Sequence, residues 1–235
     1  MFEDLVTTKQ YQTKEEYIFE TLRTAILQCK ILPEERLVID HLATSFGVSS
    51  IPIRTALQRL EAEGLVEIIP HTGAIVSAIS ADTIDELFSI LSSLEVIAFR
   101  VAARKIQNQD IEAISDILEA MDEAVKQQDV DRWCDDNRKF HVSIAEISQM
   151  NLLIEFTKRI FDQWGRIRRF YLPKEVFIHR LTQAQNDHRE MFELLKQQKG
   201  EELATKAMLH NTAAKDAYQK WINSNVAKDN ELETA

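Results

Sequence analysis

RLVIDHLATSFGVSSIPIRTALQRLEAEGLVEIIPHTGAIV, residues 36–76, decides the fold of the amino-terminal part of the chain. Leu37, Leu42, Ala43 and Phe46 give a short apolar helical face, and Gly47 then supplies a left-handed turn that a Cβ would resist. Val48 packs the corner, and Ser49 is a good N-cap for the next helix. Pro52 falls in that helix's first turn, where its missing N–H removes no intrahelical bond. Ile53, Ala56, Leu57 and Leu60 recur at helical spacing and face a core. After Gly64, residues 65–69 and 74–76 read as two short strands joined through Pro70, His71, Thr72 and Gly73. The pattern is a helix–turn–helix followed by a β-ribbon wing.

The opposite face of the second helix carries Ser50, Ile51, Arg54, Thr55, Gln58 and Arg59. Its N-terminal end has the size and chemistry to enter a DNA major groove, where short polar residues and arginine reach base edges and phosphates. With the wing tip, the candidate DNA contacts are Arg36, Ser49, Ser50, Ile51, Arg54, Thr55, Arg59, His71, Thr72 and Gly73.

This stretch resembles the amino-terminal domain of the GntR family of bacterial transcription regulators, whose pattern runs roughly PG-x-x-L…LA…GVSR-x-PVREAL-x-RLE-x-EGLV…G-x-x-V. Matches fall at Leu42-Ala43, at GVS 47–49, at Pro52 and Arg54, at Ala56-Leu57 and at RLEAEGLV 59–66. Three positions depart: Pro33-Glu34 stands for Pro-Gly, Ser50 for the arginine after GVS, and Thr55 for glutamate. The resemblance implies binding to duplex DNA, with a half-site altered by the missing arginine.

Net charge is −10, and residues 1–80 hold seven basic and eleven acidic side chains, so non-specific affinity for DNA should be weak in a single copy. Between Arg36 and Leu60, however, Asp40 is the only acid against three arginines. Two such domains in a homodimer on a pseudo-palindromic operator would suffice, with strong salt sensitivity. The absence of an apolar run of 18 residues excludes a membrane-spanning helix. Two cysteines, Cys29 and Cys134, and an acidic, polar start lead us to expect a reducing cytoplasm.

The domain reading is an arm at 1–13, the winged domain at 14–78, a linker at 79–81, a helical domain at 82–223 and a disordered tail at 224–235. Beyond residue 81, glycine occurs only at 165 and 200 and proline only at 173. Helical spacing predicts segments at about 82–105, 109–127, 130–148, 151–171, 175–198 and 201–223, with an extra break near 177–183. The fold class is therefore mainly α: a winged helix–turn–helix followed by an all-helical antiparallel bundle.

His141, His188 and His210 fall on separate predicted helices, and Asn137 shares a helical face with His141. Alone this is a weak signal, since isolated histidines are more often surface or core residues. The second half, over roughly 82–222, resembles the FCD effector domain of the FadR-like branch of the same family. Many members carry D/N-x-x-F-H followed by two later histidines about 22 residues apart. Here NRKFH occupies 137–141, and His188 and His210 are 22 apart. The resemblance implies a metal centre of Asn137, His141, His188 and His210. Three neutral imidazoles and an amide oxygen suit Zn²⁺ first and Ni²⁺ second. Cys134, one turn before Asn137, is a minor alternative ligand. An arginine usual before LE in the family is replaced by Leu91 in LFSILSSLE, so an effector with one acid group and an apolar body is expected. Trp133, Phe140, Phe156, Phe161, Trp164 and Phe192 read as core, and Arg166-Ile167-Arg168-Arg169 as a solvated face.

The implied function is a transcription regulator, acting as a repressor, whose operator affinity responds to a small carboxylate at the metal. A metal-dependent hydrolase is the competing class, without HExxH or Glu-x-x-His to supply its base. Two further alternatives keep the regulator but make the metal structural, or make the metal itself the signal.

Overall fold

The computed structural model describes residues 13–70 and 72–233, which fall into two compact units. One holds the residues up to 80 together with 165–170; the other holds 81–164 and the residues from 171 onward. The predicted arm lies outside the described residues except at Thr13, as do the final two residues.

The first unit opens with α1 (Lys14–Leu27), where Thr13 occupies the N-cap and its hydroxyl accepts the Glu16 N–H at 3.1 Å. Next come β1 (Arg36–Val38), α2 (Ile39–Phe46), α3 (Ser50–Ala62), β2 (Val66–Ile69) and β3 (Gly73–Val76). Gly47 ends α2 at φ 62° and ψ 41°, the left-handed turn read from the sequence. Ser49 holds the N-cap position of α3 but its side chain makes no capping bond, so its hydroxyl is left to other partners. Ile18, Leu22 and Ile26 of α1 pack with Leu42, Ile53, Leu57 and Leu60 in one core, closed by Leu37, Val66 and Val76 of the sheet.

The sheet has a third strand, β1, that the sequence reading did not assign. Its order is β1–β3–β2, antiparallel throughout, with Leu37 opposite Ala74 and Ile68 opposite Ala74 on the other side. Leu37 therefore buries itself from a strand, not from the helix face to which it was assigned. Three residues alternating exposed, buried, exposed are too few to announce a strand by period alone.

The second unit contains α4 (Ala81–Lys105), α5 (Asn108–Gln127), α6 (Val130–Ile147), α7 (Asn151–Tyr171), α8 (Lys174–Lys196) and α9 (Gly200–Glu233), with residues 165–170 of α7 grouped with the first. α4 packs against α9 and α6, α5 against α6 and α8, and α8 against α9. Left-handed Gln128, Gln149 and Gln198 turn the chain between helices, at φ of 54°, 59° and 57°. α8 runs unbroken through 177–183, because Phe177, Leu181 and Ala184 keep a continuous buried stripe there. α9 continues past 223 into the segment expected to be disordered, since neither glycine nor proline occurs beyond 200 to stop it. Phe156, read as core, is 48% exposed, and Arg166 and Arg168, read as solvated, are buried. Among the described residues no helix is long and apolar enough to cross a membrane.

Candidate metal centre and DNA-reading face

Three helices of the second unit bring one imidazole each to a common point: His141 from α6, His188 from α8 and His210 from α9. One ring nitrogen or other donor from each lies within 4.8 Å of the others. The Nε2 atoms of His141 and His188 are 3.2 Å apart. Donors bound tetrahedrally at 2.0–2.1 Å sit about 3.3 Å from each other, so this pair is spaced for a shared ion. Asn137 lies one turn before His141, and its Oδ1 is buried with no hydrogen-bond partner. An orphaned buried acceptor is costly, and a cation beside it would relieve the cost. The four residues thus fit a borderline divalent ion. Cys134 does not join the cluster.

The rings are framed by aromatic side chains. Phe161 lies 5.2 Å from His141 and Phe140 4.9 Å from His188, centroid to centroid, while Trp133 sits 5.7 Å from His188. The Trp133 indole N–H donates to Gln185 Oε1 at 3.2 Å, and Gln185 in turn donates to Asp122, so the indole is fixed.

Two carboxylates lie behind the imidazoles. Glu95 Oε1 of α4, fully buried, is 2.6 Å from His141 Nδ1, and Asp187 Oδ2 is 3.3 Å from His210 Nδ1. Sequence reading missed both. Glu95 closes the LFSILSSLE segment and Asp187 directly precedes His188, but no period or spacing links either to a histidine on another helix. Burial pushes the Asp187 carboxyl up, but hydrogen bonds from His210 and Lys206 outweigh it and hold it well below the usual range. It is therefore a charged acceptor at neutral pH.

Burial pushes His188 well below the ordinary imidazole value, helped by the charges of His210, His141 and Arg180. Burial also lowers His210, although its bond to Asp187 pulls the other way. Both rings are neutral at pH 7, the form a metal requires. A folded-state value below 6.5 means that the unfolded chain binds more protons as the pH falls through 6.5. Metal-free protein should accordingly melt at a lower temperature at pH 5.5 than at pH 7.5, with the stability present above that window and lost below it. Calorimetry of chelator-stripped protein at the two values checks this.

In the first unit, α3 presents Ile51, 69% exposed, and Arg54, also exposed, near its N-terminal end. Ser49, Arg36 and Thr72 are exposed; Ser50 and Thr55 are half-buried, and the Thr55 hydroxyl donates to Ile51 O at 3.3 Å. Two of the expected contacts have roles within the domain itself. Arg59 pairs with Glu16 at 2.7 Å and lies 3.7 Å over the Phe19 ring, so it ties α3 to α1. Gly73 is buried where a Cβ would stand 1.9 Å from the Leu37 carbonyl oxygen, so its lack of a side chain serves the β1–β3 pairing. His71 lies outside the described residues.

Fold and cluster together define a winged helix–turn–helix protein with a helical domain built around converging histidines. The chain belongs to the GntR family of bacterial transcription regulators: "Bacterial regulatory proteins, gntR family" matches residues 14–76, and "FCD domain" matches residues 86–213. It is 28% identical over 133 residues to the HTH-type transcriptional regulator McbR of Escherichia coli, covering 57% of this chain and 60% of that one. To the regulator YdhC of Bacillus subtilis it is 25% identical over 196 residues, or 82% and 85% of the two chains. It is 24% identical to the Escherichia coli repressor GlaR, covering 72% of this chain and 79% of that one. A solved structure of Escherichia coli McbR/YncC superposes with a TM-score of 0.70 at 21% identity, over 90% of this chain and all of that one, which supports the fold.

Proposed function

We propose that this chain is a ligand-responsive repressor that binds a pseudo-palindromic operator as a homodimer and changes affinity when a small carboxylate occupies the metal centre. The observation that carries the receptor half is the convergence of three buried imidazoles, with the unpartnered Asn137 oxygen one helical turn before His141, in a domain separate from the DNA-reading fold. A bound divalent ion supplies fixed positive charge and open coordination positions for an acid group.

The protein's own residues set the rest of the ligand's character. Leu91, where relatives of this type often carry arginine, is buried with Val142 and Phe161, and Phe161 faces His141. The ground beside the centre is apolar and offers no second cation from that position. This favours a monocarboxylate with an apolar body over a dicarboxylate, because a second carboxylate would be desolvated there without a partner. Binding shifts operator affinity only as far as the acid discriminates between the DNA-competent arrangement and the other. The negative net charge calls for two copies on the duplex and for binding that falls steeply with salt.

Gel-shift selection from a mixed-sequence DNA library, using full-length metal-loaded protein, tests this reading. It should return a two-fold-symmetric site whose occupancy drops when small monocarboxylic acids are added. Recovery of no site, or of a site indifferent to every such acid, would contradict it.

A further inference from the structure

Glu95 is a buried acid held between an amide and an imidazole. It is fully enclosed on α4; Oε2 accepts a hydrogen bond from Asn211 Nδ2 at 2.6 Å, and Oε1 faces His141 Nδ1 at 2.6 Å. Oε1 and His141 Nδ1 are both buried without a hydrogen-bonding partner, so each has this close approach as its polar contact. The other carboxylate behind the rings is differently placed. Asp187 is met by Lys206 at 2.9 Å and by Gln183 at 3.1 Å, and Lys206 also reaches Glu190 at 2.5 Å. Asp187 thus has a lysine of its own, whereas Glu95 has the Asn211 amide and the His141 ring. An ionised carboxylate buried on such terms is expensive unless a positive charge lies within reach.

The metal centre supplies that charge one imidazole away. Asn137 stands where a carboxylate ligand is the alternative, so all four candidate ligands are neutral and an ion among them keeps its full 2+ charge. We propose that Glu95 is the positioning residue and counter-charge of this centre. Its carboxylate fixes His141 as the Nδ1–H tautomer, leaving the Nε2 lone pair for the ion, and provides from behind the ring the negative charge that Asn137 lacks. Carboxylate–histidine–metal pairs act in this way generally, raising ligand basicity and orienting the ring. The inference rests on the reading of Asn137, His141, His188 and His210 as a metal centre.

Glu95→Gln tests it, since the amide keeps the shape and the Asn211 contact. Its –NH₂ turned toward His141 would favour the opposite tautomer, with Nε2 protonated and closed to the ion. Chelator-stripped full-length protein is titrated with Co²⁺, read by its visible absorption, and with Zn²⁺ in competition. Glu95→Gln should weaken binding by about 10- to 100-fold while metal-free melting is preserved or raised. Glu95→Asp, which keeps the charge, should recover at least part of the loss. Equal affinity of Glu95→Gln and wild type, or no recovery with Glu95→Asp, overturns the proposal. Failure of the wild type to bind either ion overturns the metal reading itself. Should Glu95→Gln not fold, ¹⁵N NMR of the histidine rings in wild-type protein decides: a His141 ring protonated at Nδ1 supports the assignment, and one protonated at Nε2 refutes it.

Discussion

Replacing Arg54 with alanine is expected to weaken operator binding by roughly 10- to 100-fold, the loss typical of one arginine contact to base edges. Arg54 is exposed two turns or less from the start of α3, beside Ile51, while Ile53, Ala56 and Leu57 hold the opposite side of the helix in the core. Truncating Arg54 therefore leaves that core intact, and the effect should appear in binding and not in melting. Arg59→Ala is the internal control. It removes the pair with Glu16 and the contact over Phe19, so it should lower the stability of the winged domain with a smaller effect on DNA. Fluorescence anisotropy on the selected operator at fixed salt, with thermal melts alongside, separates the two. Undiminished binding by Arg54→Ala would mean that α3 is not the reading helix.

The second large effect concerns the histidines. A divalent ion present at about 100 times its dissociation constant stabilises the folded chain by about 2.7 kcal/mol. For a chain of this size, that corresponds to a rise in Tm of about 5–10 °C, which chelation should abolish. His210→Ala removes one of the three converging imidazoles and should weaken ion binding by about 100-fold or more, taking the chelator-sensitive shift in Tm with it. His188→Leu distinguishes a ligand from a structural residue. The His188 Nδ1 is buried without a hydrogen-bond partner, so an apolar side chain there removes that orphaned atom, which offsets part of the cost of losing the Nε2 contact with His141 in the metal-free fold. A His188→Leu protein that folds without metal and ignores added Zn²⁺ fits a ligand. One that retains the wild-type response to Zn²⁺ does not.

The parts of this molecule legible in the sequence are those written in local spacing. Gly47 forecast a left-handed turn because only a residue without Cβ adopts it freely, and the turn is at φ 62°. The six helices of the second unit were marked by apolar period and by polar breaks, and their ends fall within a few residues of expectation except at the end of α9. Asn137 and His141 share a face because they are four residues apart on one helix. What stayed hidden depends on contacts between distant segments. β1 becomes a strand only because β3 pairs with it, and Gly73 is needed only because Leu37 crosses so close. Arg59 reads as a groove-facing arginine until Glu16 and Phe19 of another helix are placed beside it. Glu95, 116 residues from Asn211 and on a different helix from His141, carries no sequence signal of its partnership.

The net charge shows how magnitude and placement differ. A value of −10 speaks against unspecific attraction to DNA, yet it does not oppose a specific complex in which a few exposed cations are placed correctly. Affinity should consequently be modest for a single copy and sharply dependent on salt.

The most direct test of the central claim is X-ray absorption spectroscopy of the full-length protein loaded with one equivalent of Zn²⁺. A shell of nitrogen and oxygen donors at about 2.0–2.1 Å, with the outer-shell scattering of three imidazoles, is the expected result. A sulfur contribution at about 2.3 Å from Cys29 or Cys134, or a spectrum unchanged when His141, His188 and His210 are all replaced, would contradict it.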